Sequence, residues 1–354
     1  MIRPRCGRSP WKQDGPSASA MNEIGRAVEL LRAGELVAIP TETVYGLGAD
    51  AANPVAVARI FAAKGRPADH PLIVHIPAAS HLDQWAKNIP QAAHTLAATF
   101  WPGPLTLILQ RQPTVPDAVT GGQNTVGLRV PGHPLALALL AAFAAAGGSG
   151  GIAAPSANRF GRISPTTADH VREELGDQVA LILDGGPCEV GIESTIVDLS
   201  RGAPVILRPG AITAEQIAAA LHGTPAIGQA TASTPRVPGA LEAHYAPETG
   251  LRLVTAAELP ATVEALLAQD LRLAVLALNA APAGLPPLAW IAAGSNARDY
   301  AHQLYAALRE LDHVGADLIL VEAPPQTMEW QAVHDRLGRA ASGAGKRQAD
   351  PFRP

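Results

Sequence analysis

Pro40-Thr41-Glu42-Thr43-Val44-Tyr45-Gly46-Leu47-Gly48 is the stretch on which the reading of the chain turns. It follows the apolar run Leu36-Val37-Ala38-Ile39, which reads as a buried strand. A strand ending in Pro, two Thr, a Glu and a Tyr serves packing poorly. Extended to Ala51, the glycines also fit the dinucleotide fingerprint G-x-G-x-x-G/A. That fingerprint needs a turn opening directly into a helix whose N-terminus holds a pyrophosphate. Here Asn53-Pro54 sets the helix start further on, with Asn as cap and Pro at the first helical position. The acidic residue about 20 positions on would be Asp69, which lies in a Pro-rich loop rather than at a second strand end. The context rejects a Rossmann turn and leaves a polar strand end with another use.

Outward from that stretch, the chain alternates short apolar runs with helical periods. Met21 to Ala33 has helical spacing at Ile24, Val28 and Leu31. The helix from Asn53 runs to Lys64-Gly65. Strands are expected at Leu72–Val74 ending on His75, Leu105–Leu109, Val126–Val130, Ile152–Ala154, Val179–Leu183, Thr195–Leu199 and Pro204–Leu207. Helical segments fall at Ser80–Phe100, broken at Pro90, then at Leu135–Ala146, Thr166–Leu175 and Ala214–Leu221. From about His222 to Thr249 no period is visible and four Pro occur, the mark of a long linker. Beyond it the pattern returns as strand, helix, strand, helix, with strands at Arg252–Val254, Leu273–Leu278 and Leu318–Val321 and a helix at Asn296–Leu311. That alternation predicts a small parallel α/β domain.

The 354 residues are 47% hydrophobic and 16% charged, a globular balance over two domains. A net charge of -4 speaks against a broad cationic nucleic-acid surface. Cys6 and Cys188 are isolated, as expected of a reduced, cytoplasmic chain with no metal or redox pattern. The run Leu135–Ala146 is too short for a bilayer, which takes about 20 residues, so no membrane partner is expected. The first twenty residues are basic and rich in helix breakers. They read as a disordered tail, with Met21 as an alternative start.

Polar clusters gather at the expected strand ends. Lys64-Gly65-Arg66 ends a helix, where cations and a Gly stop are ordinary capping. His75 ends a strand, a place where a lone His is usually structural. Arg129 sits within an apolar strand, and Arg is seldom buried without a partner. Ala154-Pro155-Ser156-Ala157-Asn158, Ser164-Pro165-Thr166, Gly191-Ile192-Glu193-Ser194-Thr195 and Arg208-Pro209-Gly210 repeat the theme. Each is ordinary alone. Together, cations Lys64, Arg66, Arg129 and Arg208 with hydroxyls Thr43, Thr125, Ser156, Ser164 and Ser194 suit a phosphate-rich ligand. No metal cluster, nucleophile elbow or triad accompanies them, and Gly343-Ala344-Gly345-Lys346 lacks the first Gly and the Ser/Thr of a P-loop.

Eight motifs in order, PTETVYGLG, AKGRPADHPLIVHI, WPGPLTLIL, TVGLRVPGHP, APSANRFGRISPTTADHV, LDGG, GIESTIVDL and LRPGAIT, resemble the L-threonylcarbamoyladenylate synthase family. The linker end, Pro238-Gly239 to His244-Tyr245-Ala246-Pro247, and Asp335-Arg336-Leu337 resemble its longer, two-domain branch. The resemblance implies an α/β fold: a YrdC-like twisted mixed sheet around a deep cavity, plus a small Rossmann-like parallel domain. It divides the chain into a tail (1–20), a YrdC-like catalytic domain (21–222), a linker and lid (223–249), a C-terminal domain (250–345) and a second tail (346–354).

It also implies that L-threonine, bicarbonate and ATP give threonylcarbamoyl-AMP and pyrophosphate. The product then feeds a tRNA-modifying threonylcarbamoyl transferase complex, with at most weak contact to tRNA itself. By motif, Thr43, His75, Arg129, Ala154 and Ser194 are the expected L-threonine contacts. Lys64, Arg66, His70, Thr125, Ser156, Asn158, Ser164, Arg208 and Tyr245 are the expected ATP contacts. Lys64, Arg66 and Arg129 would bear most of the chemistry, with Arg129 holding the substrate carboxylate in a bidentate pair. Mg²⁺ is expected with the ATP, and no acidic pair identifies its ligands.

Two positions depart from the family pattern. His70 stands where Asn is more usual, and PGALEAHYAP lacks the usual Met and the aromatic or basic residue before the His. Two other readings compete. A related carbamoyl-adenylating enzyme of hydrogenase maturation would carry an acylphosphatase domain and zinc-finger cysteines. A non-catalytic RNA-binding module would need a more basic surface.

Overall fold

In a computed structural model of the chain, the described residues are 18–223, 226–227, 234–239, 243–282 and 287–345. Most of the expected N-terminal tail, the C-terminal tail from 346, and Ala240, Leu241 and Glu242 of the linker motif lie outside them. The helix expected from Met21 begins at Ala18, so the last residues assigned to the tail belong to it.

Ten strands form one mixed sheet. They are β1 (Val37–Ile39), β2 (Gly46–Asp50), β3 (Ile73–His75), β4 (Leu105–Gln110), β5 (Thr125–Arg129), β6 (Ile152–Ala153), β7 (Leu181–Ile182), β8 (Thr195–Asp198), β9 (Val205–Arg208) and β10 (Ala226–Ile227). Their spatial order is β10-β9-β8-β4-β5-β3-β6-β2-β1-β7. Helices α1 (Ala18–Arg32), α2 (Pro54–Lys64), α3 (Leu82–Trp85), α4 (Gln91–Phe100), α5 (Asp117–Thr120), α6 (Pro134–Ala145), α7 (Ala168–Leu175) and α8 (Ala214–Leu221) pack around it.

β4 shows how the sheet divides its two faces. Leu105, Leu107 and Leu109 enter the main core with Val74, Leu128 and Leu96. The alternate residue Ile108 points to the opposite face with Ile73, Ile196 and Val237 of the linker. Successive side chains of a strand leave on opposite sides, so one face is covered by helices and the other is free to build a site. The apolar run in α6 packs with α1 through Leu139, Leu140 and Phe143 against Ile24, Val28 and Leu31. Among the described residues no helix is long and apolar enough to cross a membrane.

The Gly-Leu-Gly of the opening stretch is part of a strand. β2 runs antiparallel to β1, with Ile39 opposite Gly46 and Val37 opposite Gly48. A Cβ on Gly48 would stand 2.9 Å from the Val37 carbonyl oxygen and 3.0 Å from Ile152. Close strand packing, not a pyrophosphate, requires glycine there. α2 begins as expected, with the Asn53 side chain accepting from the N–H groups of Val55 and Ala56 and Pro54 in its first turn.

The second part holds β11 (Leu251–Val254), α9 (Leu259–Leu267), β12 (Leu273–Ala277), β13 (Ala289–Ala292), α10 (Ala297–His313), β14 (Leu318–Glu322) and α11 (Gln331–Gly343). Its sheet is parallel throughout, in the order β11-β14-β12-β13. The two parts share a core. Val44, Ile163 and Ile192 from the first, and Tyr245 from the linker, pack with Tyr300, Leu304, Tyr305, Trp330 and Leu337. Polar ties reinforce the docking. Arg309 reaches the Ile163 carbonyl, pairs with Glu174 at 2.9 Å, and is buried. Asp312 accepts from the Glu248 and Thr249 N–H groups at 2.8 Å.

Candidate active site

The free face of the large sheet forms the floor of an internal cavity of about 50 Å³. Ile73 and His75 come from β3, two residues apart and therefore on one face. Arg129, the last residue of β5, lies in register beside His75. Thr41 and Thr43 arrive from the turn after β1, and Ala154, Pro155 and Ser156 from the turn after β6. Glu193 and Ser194 precede β8, Arg208 ends β9, and Pro238, Gly239, His244 and Tyr245 of the linker close the top.

Of the residues expected from sequence, Thr43, Arg66, His75, Arg129, Ala154, Ser156, Ser194, Arg208 and Tyr245 line this cavity. Lys64, His70, Thr125, Asn158 and Ser164 do not. Lys64 is buried just behind it, its ammonium donating to the Ser156 and Asn158 carbonyls at 2.5 Å each. Asn158 braces the same loop through the Arg159 and Arg162 carbonyls. Ser164 is fully buried and donates to Glu193 at 2.6 Å. His70 packs edge-on against Phe160. Thr125 begins β5, opposite Gln110 and four residues from Arg129.

The cations fall into two kinds. Arg129 is matched: its Nη2 lies 2.8 Å from Glu42 Oε1, and both side chains are buried. The contact is too poorly aligned to count as a hydrogen bond, so neither atom has a hydrogen-bond partner. Glu42 also accepts from the Gly132 N–H at 2.8 Å. Its position in the Thr-Glu-Thr motif therefore anchors Arg129 at the cavity wall. Lys64, Arg66 and Arg208 are unmatched: among the described residues none has a carboxylate within ion-pair distance, and backbone carbonyls hold them instead. Gly65, left-handed at φ 59°, ends α2 and turns Arg66 inward. Arg208 donates to the Ser194 carbonyl at 3.1 and 3.0 Å and to Pro238 of the linker at 2.9 Å.

Burial governs the titration of these groups. It pushes Lys64 well below the ordinary lysine range, assisted by Arg66, and pushes Arg66 down to about 10. Concentrated, desolvated positive charge of this kind is stabilised by an incoming anion. His75 is lowered to about 3 by burial and by Arg129, so its ring is neutral, and its buried Nδ1 has no partner. His244 is likewise lowered to about 3 by burial. Thr106 and Ser194 share a hydroxyl contact at 2.7 Å, and Thr41 and Thr43 share one at 2.8 Å.

Glu42, Glu193, Thr41 and Arg336 carry no local sequence signal of a role in the site. Glu193 lines the cavity, and Arg336 of α11 donates to it at 2.7 Å. Both lie within motifs already noted, GIESTIVDL and Asp335-Arg336-Leu337. An acidic residue is not sought in a site for phosphate, and a residue of a second domain is not sought in the first domain's site.

Fold and cavity together define a two-part α/β protein that encloses an internal arginine-rich site under a linker and a C-terminal domain. The family model Sua5_yciO_yrdC, described as "Telomere recombination", matches residues 29–210, and Sua5_C, described as "Threonylcarbamoyl-AMP synthase, C-terminal domain", matches residues 212–342. The chain is 40% identical to threonylcarbamoyl-AMP synthase of Pyrococcus abyssi, over 91% of this chain and 94% of that one. It is 42% identical to the Bacillus subtilis threonylcarbamoyl-AMP synthase, over 91% and 93%. The solved structure of P. abyssi Sua5 complexed with L-threonine superposes with a TM-score of 0.83 at 38% identity, covering 90% of this chain and 94% of that one. The chain belongs to the Sua5/YciO/YrdC family, in the form that carries the Sua5 C-terminal domain.

Proposed function

We propose that the chain is a threonylcarbamoyl-AMP synthase, a nucleotidyltransferase that converts L-threonine, bicarbonate and ATP to threonylcarbamoyl-AMP and pyrophosphate. The observation that carries this reading is the uneven charge of the cavity. The cavity-lining Arg66 and Arg208 lack carboxylate partners, while the matched pair Arg129–Glu42 stands beside a neutral His75. The first set suits the phosphates of ATP; the second suits a zwitterionic amino acid.

In the first step the threonine amine attacks the carbon of bicarbonate, water leaves, and a carbamate forms. A carbamate oxygen then attacks the α-phosphorus of ATP as the bond to the β-phosphate oxygen breaks, and pyrophosphate departs. Such a displacement needs little covalent help from protein, and positioning and cations supply most of the rate. That fits a site with no nucleophile–base pair. Arg129 would take the threonine carboxylate, oriented from behind by Glu42. Thr43, Ala154 and Ser194 would surround the amino acid, and the neutral His75 would face its amine or carbamate. Arg66, Ser156, Arg208 and Tyr245 would meet the nucleotide. Lys64 and Asn158 would hold the loop that carries Ser156, and His70, Thr125 and Ser164 would act from outside the lining.

The carboxylates present do not fit a protein-held Mg²⁺. Glu42 faces Arg129 and Glu193 faces Arg336, and the described residues contain no group of three potential ligands. Mg²⁺ would arrive with ATP, held by phosphate and water.

Ligand sites commonly span about 300–1,000 Å³, far above the cavity as closed here, so residues 223–249 would act as a lid between a catalytic domain (21–222) and a C-terminal domain (250–345). Downstream, the mixed anhydride would be consumed by a tRNA-modifying transferase complex. A cytoplasmic setting fits the free, buried thiol of Cys188. The test is direct detection of product: ATP, L-threonine and ¹³C-bicarbonate should yield threonylcarbamoyl-AMP heavier by one mass unit. Unlabelled product, or AMP without it, would refute the reading.

A further inference from the structure

Glu193 is at first sight misplaced. It lines a cavity read as the seat of a polyphosphate, next in sequence to Ser194, whose carbonyl holds Arg208. Left to itself, a buried carboxylate there would repel ATP and draw Arg208 toward itself. It is not left to itself. The Arg336 Nε–H donates to Oε2 at 2.7 Å and the Tyr305 hydroxyl donates to the same oxygen at 2.9 Å. Ser164 donates to Oε1 at 2.6 Å. Arg336 and Tyr305 come from α11 and α10 of the C-terminal domain, and both are fully buried. The Arg336 guanidinium also stands 5.3 Å from the centre of the Tyr245 ring, where it faces the linker. Asp335 fixes its other end at 2.5 Å.

Resting on the reading of the cavity as an ATP site, we propose that Arg336 is a positioning residue for the nucleotide. By neutralising Glu193 it leaves Arg208 to the phosphates. With Arg129 offset by Glu42, Glu193 offset by Arg336 and Asp335 offset by Arg339 at 2.9 Å, Arg66 and Arg208 remain as net positive charge at the lining. Without Arg336 the Glu193 carboxylate cancels one of them. The C-terminal domain thereby sets the charge of a site built almost wholly by the other domain, and it does so only while α11 is docked.

The test compares the full chain with Arg336→Met, Glu193→Gln and the double variant, following pyrophosphate release and thermal melting. Arg336→Met should raise the KM for ATP about tenfold and change the KM for L-threonine less than about twofold. The double variant should regain most of the ATP affinity, since removing both charges restores the balance. A double variant no better than Arg336→Met, or equal rises in both KM values, would make Arg336 a packing strut and overturn the proposal. If Arg336→Met does not fold, Arg336→Lys and Arg336→Gln replace it. The charged variant should bind ATP better than the neutral one, and equal KM values would overturn the proposal. An active wild type with an indifferent Arg336 would sink this inference alone. An inactive wild type would sink the functional reading beneath it.

Discussion

Arg129 and Glu42 form a buried ion pair, and such pairs are costly to break from one side. Arg129→Ala strands the Glu42 carboxylate in the interior, at about 3–5 kcal/mol by analogy with other buried pairs. We expect it to abolish threonine-dependent turnover and to lower the melting temperature. Adding Glu42→Gln should recover much of the stability and none of the activity. Recovery of both would place Arg129 outside the substrate site.

Protonation acts on the same residues. In the unfolded chain an imidazole takes a proton near pH 6.5, whereas His75 and His244 stay neutral down to about 3 in the folded state. Between those values the unfolded chain binds more protons, so stability falls as pH drops below 6.5. Glu193 adds to the trend. Arg336, Arg208 and Ser164 hold its carboxyl down at about 2 against the penalty of burial, so its contribution is lost below the ordinary carboxylate range. Melting curves from pH 7 to pH 4 should show a steep decline, shallower in His75→Gln. An unchanged slope would mean that His75 is exposed or already paired.

The cavity residues most legible in the sequence were polar groups inside apolar strands, such as Arg129 and His75, where packing offers no reason for them. Glu42 and Glu193 were less legible because each serves another side chain, and partners distant in sequence leave no local mark.

Elements form where local chemistry speaks with one voice. α2 has a cap, a first-turn Pro and a left-handed Gly stop, and its limits agree with expectation. Asn53→Ala should cost about 1 kcal/mol of stability with KM values unchanged, measurable by denaturant titration; a catalytic defect would contradict a purely structural role. β2 was hidden because its glycines match a loop motif, and two-residue strands such as β7 and β10 are too short to show a period. By spacing the linker was legible only as a break in periodicity, and its Tyr245 was expected only from the family resemblance. Its Tyr245 adopts φ 60° and its Gly239 φ 76°, and a Cβ on Gly239 would come 2.1 Å from the Tyr245 hydroxyl. Positive φ is uncommon outside glycine, so Tyr245 marks a tightly specified closed form, and the close approach of its hydroxyl requires glycine at 239. Gly239→Ala should displace Tyr245 and weaken ATP binding while the melting temperature stays within a few degrees. Unaltered ATP kinetics would remove the linker from the site.

At the scale of the whole molecule, the two α/β parts share one cluster of buried residues, and the second touches the cavity wall from behind, through Arg336 and Tyr305 on Glu193. Alternating strands and helices made the second domain's class readable. Its docking was not readable, because Arg309, Asp312 and Arg336 lie on helices whose polar faces look solvent-exposed in sequence and are turned inward by contact with Glu174, the linker backbone and Glu193. In the proposed reaction one cavity joins an amino acid, a one-carbon acid and a nucleotide. The most direct measurement of that reaction is pyrophosphate released from ATP by the purified full chain. Release should require L-threonine and bicarbonate together and fall to background when either is omitted. Release at an equal rate without L-threonine, or none with all three present, would contradict it.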